Sequence, residues 1–211
     1  MHADGPTERL GRGRLAHAAA LLAESLFDDP AYAFVFPDAR TRRVGLERFF
    51  RLHLGNHLLH RCTFVDDTED LPVAATVTLR PPGGIRVTRL AQLTAASKFV
   101  AAVGPGPLKR LLQIARLYEE LERAAAGGRP YWHVHMMAVA PSRRGRGVGR
   151  ALLERALDTR AGATEPVVLT THKPLNVRFY ERAGFRVVAE QRVAPDRRQG
   201  HPVWSMRRDR A

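Results

Sequence analysis

The residues that point most clearly to chemistry are three alternating glycines set among arginines, in the run Arg144-Gly145-Arg146-Gly147-Val148-Gly149. Glycine lets the backbone turn sharply and approach a ligand closely, so that successive N–H groups face the same way. A helix that begins at such a turn adds unpaired N–H groups and the positive end of its dipole. The run therefore predicts an anion site suited to a pyrophosphate.

The spacing of these glycines excludes two common nucleotide-binding motifs. A dinucleotide fingerprint has the form G-x-G-x-x-G, and a Walker A loop ends in Lys-Ser or Lys-Thr. Neither pattern is present here, and the chain also lacks the G-x-S-x-G and H-E-x-x-H motifs of hydrolases and metalloproteases. The glycine run alone thus indicates a phosphate-bearing ligand without identifying it.

Histidines form the second set of candidate residues. His133 and His135 alternate in an apolar run, so a regular strand would place them on one face together with Met137. Histidine titrates near neutral pH and suits a general base, but such residues also occur as ordinary strand histidines. A His-x-His pair is half of a metal site, yet no third or fourth ligand is evident. His172 is a further candidate for the same pocket.

Apolar patterning predicts the elements that hold these residues. The run from Trp132 to Val139 is typical of an inner strand, Pro141 ends it, and helical spacing resumes after the glycines. The remaining pattern predicts helices over 15–27, 39–60, 87–103, 108–126, 150–162 and 175–183. It predicts strands over 62–65, 73–79, 166–171, 185–193 and 203–206, with at most a very short strand before them. This alternation indicates an α/β layout around a mixed sheet.

The helical segment over about 86–126 is too long for an ordinary loop. We expect it to be an insertion that covers part of a site. The length of 211 residues predicts a single domain over 9–211. The polar stretch with Gly5 and Pro6 predicts a flexible N-terminus over 1–8.

Two stretches resemble the GNAT superfamily of acyl-CoA N-acyltransferases. The run from Val139-Ala140-Pro141 through the glycines is similar to its coenzyme A motif. The run from Asn176 through Tyr180 to Gly184-Phe185 is similar to its second signature. Within the superfamily, the layout is similar to the puromycin N-acetyltransferase group, which shares the helical insertion and a final Trp-x-Met.

The resemblance implies a GNAT fold, with a mixed, mostly antiparallel sheet flanked by helices and a helical insertion between the third and fourth strands. Acetyl-CoA would lie between the fourth and fifth strands. The residues implied to bind it are Met137, Ala138, Val139, Arg144, Gly145, Arg146, Gly147, Val148, Gly149, Arg150 and Asn176.

The implied reaction is direct attack by a primary amine of a small molecule on acetyl-CoA. Tyr180 matches the family's general acid, and His135 is our candidate for the base. No metal is expected. A protein or peptide amine as acceptor, or a non-catalytic module that binds coenzyme A or nucleic acid, stays open as an alternative.

Composition limits the partners and the compartment. The formal net charge is +13, but the 34 basic residues include three lysines and are mostly scattered, which serves solubility and anionic ligands as well as nucleic acid. Nucleic acid is therefore not favoured as a partner. No stretch approaches the ~20 apolar residues of a membrane span, and the lone Cys62 fits a reducing cytoplasm. The sequence leaves the oligomeric state open, including a homodimer.

Overall fold

A seven-stranded sheet in the order β1-β2-β3-β4-β5-β7-β6 organises the part of the chain that the computed structural model describes, residues 8–59, 62–68, 70–84, 89–160, 163–193 and 200–209. The β4–β5 pair is parallel and every other pair is antiparallel. The elements in chain order are β1 (Glu8–Arg9), α1 (Leu15–Ser25), α2 (Pro30–Val35), α3 (Ala39–Leu59), β2 (Thr63–Thr68), β3 (Leu71–Arg80), α4 (Arg89–Val103), α5 (Pro105–Ala125), β4 (Trp132–Val139), α6 (Val148–Asp158), β5 (Val167–Thr171), α7 (Pro174–Arg182), β6 (Arg186–Val193) and β7 (His201–Arg208).

The predicted α/β class and mixed, mostly antiparallel sheet are confirmed. Strand β4 has the predicted bounds, and the first strand is indeed very short, with two residues. Helices α4 and α5 stand between β3 and β4, as the predicted insertion requires.

Helix α2 is absent from the predicted elements, where Asp28-Asp29-Pro30 marked only the end of the first helix. Asp29 also begins the next helix, because its Oδ1 accepts the Ala31 N–H at 3.0 Å. Pro30 occupies the first helical position, where no N–H donor is needed. The same residues therefore stop one helix and start another.

The sheet is covered on both faces. Helices α6 and α7 pack on one face, with a core that includes Leu152, Leu169 and Met206. Helices α1, α2, α3 and α5 lie on the other face, where Phe50 and Leu22 are fully buried. This second face also carries the histidines singled out above, so the two faces have different chemistry.

The middle of the sheet is open. Strands β4 and β5 pair at Trp132↔Val167 and His133↔Val168, and beyond these two pairs the strands separate. The remaining length of β4, from 134 to 139, thus has β3 on one side and a gap on the other. This gap lies at the carboxyl ends of the parallel pair, next to the turn that leads into α6.

A β-bulge interrupts β4 at the beginning of the gap. Thr78 of β3 lies opposite Met136, but Leu79 lies opposite Val134, so His135 is an extra residue in β4. A bulge bends its strand and re-aims the side chains that follow. No helix of the described residues is long and apolar enough to cross a bilayer.

Candidate active site

The glycine-rich turn presents a group of unpaired N–H donors. Gly145 and Gly147 have φ values of 74° and 79°, a left-handed conformation that glycine adopts without strain. Gly147 caps α6 without a side-chain hydrogen bond, and the helical ladder begins where the Ala151 N–H donates to the Gly147 carbonyl at 2.9 Å. The N–H groups of the first turn of α6, residues 148–150, therefore point out of the helix end without an intrahelical acceptor.

Arginine side chains surround these N–H groups. Arg144, Arg146 and Arg150 are exposed, and none of them forms an ion pair within the described part of the chain. Arg143 instead ties the turn to the β2–β3 connection, with its Nη2 at 3.1 Å from Asp70 Oδ2. Unpaired arginines beside a helix N-terminus favour a bound anion with several charges, so the predicted pyrophosphate site fits this geometry.

Gly149 has a different reason to be glycine. A Cβ at this position would lie 2.7 Å from Val139 Cγ2 and 3.1 Å from Met137 Cε. The residue therefore allows α6 to pack closely on β4, whereas the spacing in the sequence predicted that all three glycines serve the close approach of a ligand. Its N–H still belongs to the unpaired first turn of α6.

The backbone of β4 has two residues that face the gap. The Ala140 N–H donates to the Ala74 carbonyl at 2.8 Å, so Ala140 belongs to the hydrogen-bonded set of the antiparallel ladder with β3. Because that set alternates along a strand, Met137 and Val139 direct their N–H and C=O groups away from β3. Ala138 belongs to the set that pairs with β3. The Val139 carbonyl accepts a hydrogen bond from Arg144 Nε at 3.2 Å.

Tyr180 and Asn176 approach the gap from α7. The Tyr180 ring packs between Phe179 and Phe185, and its hydroxyl lies 4.0 Å from the sulfur of Met137. Burial raises the pKa of Tyr180 above its usual value, so the phenol keeps its proton at neutral pH. Asn176 is exposed, and its Nδ2 donates to Thr171 Oγ1 at 3.0 Å, which leaves the amide oxygen available.

His133 and His135 lie on the helix-covered face that carries α3 and α5. His135 Nε2 is 3.0 Å from His53 Nε2 of α3, and His133 Nε2 is 3.2 Å from Glu122 Oε1 of α5. Met137 packs on the opposite face with the core under α6 and α7. The expectation that Met137 shares the face of the histidines is therefore wrong, because the bulge at His135 shifts the alternation by one residue.

Burial keeps two of these histidines neutral. Burial, assisted by the positive charge of Arg80, lowers the pKa of His133 to about 3 and that of His53 to about 4. Burial also raises the pKa of Glu122 to about 7, against the opposing effect of Arg80. The Tyr131 hydroxyl donates to the same carboxyl group at 3.3 Å.

A further pair of titratable groups lies at the end of β5. His172 Nδ1 is 2.8 Å from Asp29 Oδ2, and both side chains are 10% exposed. Although burial opposes ionisation, the hydrogen bond and charge of His172 hold the pKa of Asp29 below its usual value. The sequence predicted His172 as a pocket residue but not Asp29, since 143 residues separate them and an aspartate before a proline indicates a helix boundary.

No cluster of three or more metal-binding side chains occurs among the described residues. The sequence also spaces His53, His57 and His60 along one face of the helix predicted over 39–60, but His60 and the side chain of His57 lie outside the described part of the chain.

Known proteins share this architecture. Residues 97–187 match the family model described as an acetyltransferase (GNAT) domain. A structure described as histone acetyltransferase HPA2 and related acetyltransferase, from Corynebacterium glutamicum, has a TM-score of 0.64 at 17% identity over 98% of this chain and 96% of that chain.

Two insect enzymes give similar values. Arylalkylamine N-acetyltransferase 2 from Aedes aegypti has a TM-score of 0.61 at 13% identity, over 96% of this chain and 97% of that chain. Polyamine N-acetyltransferase from Drosophila melanogaster, described as forming N-acetylagmatine, has a TM-score of 0.61 at 18% identity, over 97% of this chain and 99% of that chain. At these identities the structures establish a shared fold. Residues 97–187 match a GNAT acetyltransferase domain, as the sequence motifs predicted, and the whole described chain has the fold of these acetyltransferases.

Proposed function

We propose that the protein transfers an acetyl group from acetyl-CoA to a primary amine of a small molecule by direct attack. The observation that carries this proposal is the gap between β4 and β5. There, the backbone of Met137 faces the gap, and the hydroxyl of Tyr180 lies 4.0 Å from the Met137 sulfur, beside the anion site at the start of α6. A long ligand with a diphosphate at one end and a reactive thioester at the other matches this arrangement.

The chain offers a separate contact for each part of acetyl-CoA, which supplies an acetyl group activated as a thioester. The N–H groups over 145–150 bind the diphosphate together with the side chains of Arg144 and Arg146, which form no ion pair within the described part of the chain. The gap-facing N–H and C=O groups of Met137 and Val139 pair with amides of the pantetheine arm, and Ala138 between them holds this part of β4 to β3. The free oxygen of Asn176 accepts a further hydrogen bond.

Tyr180 is suited to protonate the departing sulfur. A buried phenol is protonated throughout the physiological pH range and can donate to a thiolate that forms next to it. A backbone N–H that faces the gap, such as that of Met137, can stabilise the negative charge on the carbonyl oxygen during attack.

Direct attack is favoured over an acyl-enzyme because the chain has no suitable thiol. Cys62 is the single cysteine of the sequence and is buried at the beginning of β2. Burial raises the pKa of its thiol, which disfavours the nucleophilic thiolate.

The acceptor side favours an amine carried on an aromatic or uncharged body over a polycation. The buried carboxylates in the described part of the chain are Asp29 and Glu122, and each is already engaged by a histidine. The same face carries the rings of Phe49, His53 and Tyr118. A chain with a net charge of +13 also repels a polycationic acceptor.

A thiol-release assay with acetyl-CoA and a panel of amines tests the proposal. The panel contains arylalkylamines, polyamines and lysine peptides, and mass spectrometry identifies the acetylated compound. We expect turnover with a small aromatic amine and about a 10²-fold lower kcat in Tyr180→Phe, since a general acid typically contributes at least that much. Tyr131→Phe serves as the matched control.

The outcomes separate the alternatives. Turnover with lysine peptides and with no small amine would show that the acceptor is a protein or peptide amine. Absence of thiol release with every amine, together with DNA binding that weakens steeply with salt, would indicate a binding module instead of an enzyme. Full activity in Tyr180→Phe would show that Tyr180 is not the general acid.

A further inference from the structure

The Asp29–His172 pair has the geometry of a base held by a carboxylate. Asp29 is fixed on its other oxygen, because Oδ1 accepts the Ala31 N–H at the start of α2. Its Oδ2 lies 2.8 Å from His172 Nδ1. A carboxylate at Nδ1 selects the tautomer that carries its proton there, so the lone pair of the neutral ring is on Nε2.

That lone pair has no partner within the described part of the chain. His172 Nε2 is buried and forms no hydrogen bond there, although the side chain is 10% exposed. Buried polar atoms are nearly always paired, so an orphaned imidazole nitrogen calls for an explanation. A proton-bearing group of a bound substrate would supply the missing partner.

The position of His172 in the fold brings it to the gap. The β4–β5 pairing ends at His133↔Val168, and His172 directly follows the last residue of β5, the strand on the side of the gap opposite β4. Met137 is the residue whose backbone faces the gap and whose sulfur contacts Tyr180. His172 thus stands across the opening from the position proposed for the thioester.

The groups around His172 come from three elements and are mostly neutral. Tyr118 of α5 and His201 of β7 pack their rings against it at 5.4 and 5.2 Å, and the Tyr118 hydroxyl is 2.9 Å from His201 Nε2. Burial raises the pKa of Tyr118 and of Tyr32 in α2, and it lowers that of His201. The carboxylate of Asp29 is therefore the negative charge that faces the ring.

We propose that His172, held in place by Asp29, is the general base that takes the proton of the attacking amine. The inference rests on the proposed function. The amine nitrogen attacks the acetyl carbonyl, a C–N bond forms, and its surplus proton passes to His172 Nε2. The C–S bond breaks with its electron pair on sulfur, which takes the phenolic proton of Tyr180. The proton on His172 returns to Tyr180 through solvent, so the net change is one proton moved from nitrogen to sulfur.

His135, our candidate from the sequence, is less suited to this step. Its Nε2 lies 3.0 Å from His53 Nε2, so the two nitrogens share one proton and the lone pair of one ring is used. Asp29 acts through His172 and is a positioning residue.

Steady-state kinetics with acetyl-CoA and the amine identified above test the inference. His172→Ala is expected to lower kcat by about 10²- to 10⁴-fold, the usual contribution of a general base. The KM for acetyl-CoA should change little, and added imidazole should restore part of the rate by entering the space left by the ring. His17→Ala, at an exposed position of α1, is the matched control.

Asp29→Asn provides a second variant that keeps the helix cap, because asparagine caps as well as aspartate. It should lower kcat less than His172→Ala and leave the melting temperature and the KM for acetyl-CoA nearly unchanged. This split between kcat and KM separates positioning from a structural role.

The failures are distinguishable. Absence of turnover in the unmodified chain overturns the proposed function and this inference together. Turnover in the unmodified chain that survives in His172→Ala, or in folded Asp29→Asn if His172→Ala does not fold, overturns this inference alone. Loss of activity in His135→Ala with full activity in His172→Ala would assign the base to His135.

Discussion

The buried pair of Glu122 and His133 predicts an unusual pH dependence of stability. In the unfolded chain, their ordinary pKa values of 4.5 and 6.5 mean that the histidine holds one proton between these two pH values. In the folded protein the shifted values of about 7 and about 3 mean that the carboxyl group holds it instead. Between these pH values, folding therefore moves one proton from His133 to Glu122. The folded and unfolded states bind the same number of protons at this pair.

In Glu122→Gln the side chain can no longer take up this proton, so the pH effects of the two residues on stability no longer cancel. A pKa raised on folding contributes stability below its unfolded value, and that contribution is lost as the pH rises through the folded value. For Glu122 the window runs from pH 4.5 to about 7, which corresponds to a contribution to the free energy of unfolding of roughly 3 kcal/mol. The lowered pKa of His133 makes stability rise with pH instead, and in the variant this is the only one of the two effects that remains.

Urea unfolding across this range measures the difference. Between pH 4.5 and 6.5 the contribution of the pair to the stability of the unmodified protein should be level. The stability of Glu122→Gln should instead rise with pH by roughly 3 kcal/mol relative to it. Other ionisable groups cancel in the comparison. Glu120→Gln, which removes an exposed carboxylate of the same helix, is the matched control and should show no such change. A constant difference between Glu122→Gln and the unmodified protein would mean that Glu122 is ionised in the fold, and would refute the reasoning.

Two further predictions concern the glycine-rich turn. Gly149→Ala should destabilise the protein by about 1–3 kcal/mol, because its Cβ would meet Val139 at 2.7 Å. Gly55→Ala, in the interior of α3 with open space around it, should instead stabilise by about 0.5–1 kcal/mol in the same thermal melts, and equal effects would contradict the packing argument. Arg146→Ala should weaken acetyl-CoA binding by about fivefold, or about 1 kcal/mol, with a loss that shrinks as salt increases. Titration calorimetry would check this against Arg129→Ala, and a salt-independent loss would argue against a charge contact.

The predictable part of the fold is the part that local pattern determines. The bounds of β4 follow from an apolar run that ends before a proline, and the turn into α6 follows from glycine spacing. The bulge at His135 leaves no such trace. It arises where β3 and β4 pair, and its consequence is that Met137 and His135 face opposite sides of the sheet.

The candidate site divides in the same way. Its donor side is continuous in sequence, so the motif through Gly149 and the Asn176–Tyr180 run predicted where coenzyme A would lie. Its acceptor side is assembled from distant segments, and no spacing rule links Asp29 to His172. A short-range signal did exist at Asp29, an aspartate before a proline, but it indicated a helix end and carried no information about a partner that follows β5.

The gap in the sheet has a thermodynamic consequence. Strands β1–β4 and β5–β7 share two residue pairs across the middle, and α5 also packs on β5 and β7. A ligand that pairs with the gap-facing backbone of β4 would act as an extra strand between the two halves. Its binding then raises the free energy of unfolding by about 2.7 kcal/mol at a ligand concentration one hundred times its Kd. Resistance to unfolding would thus report occupancy of the donor site without any acceptor being known.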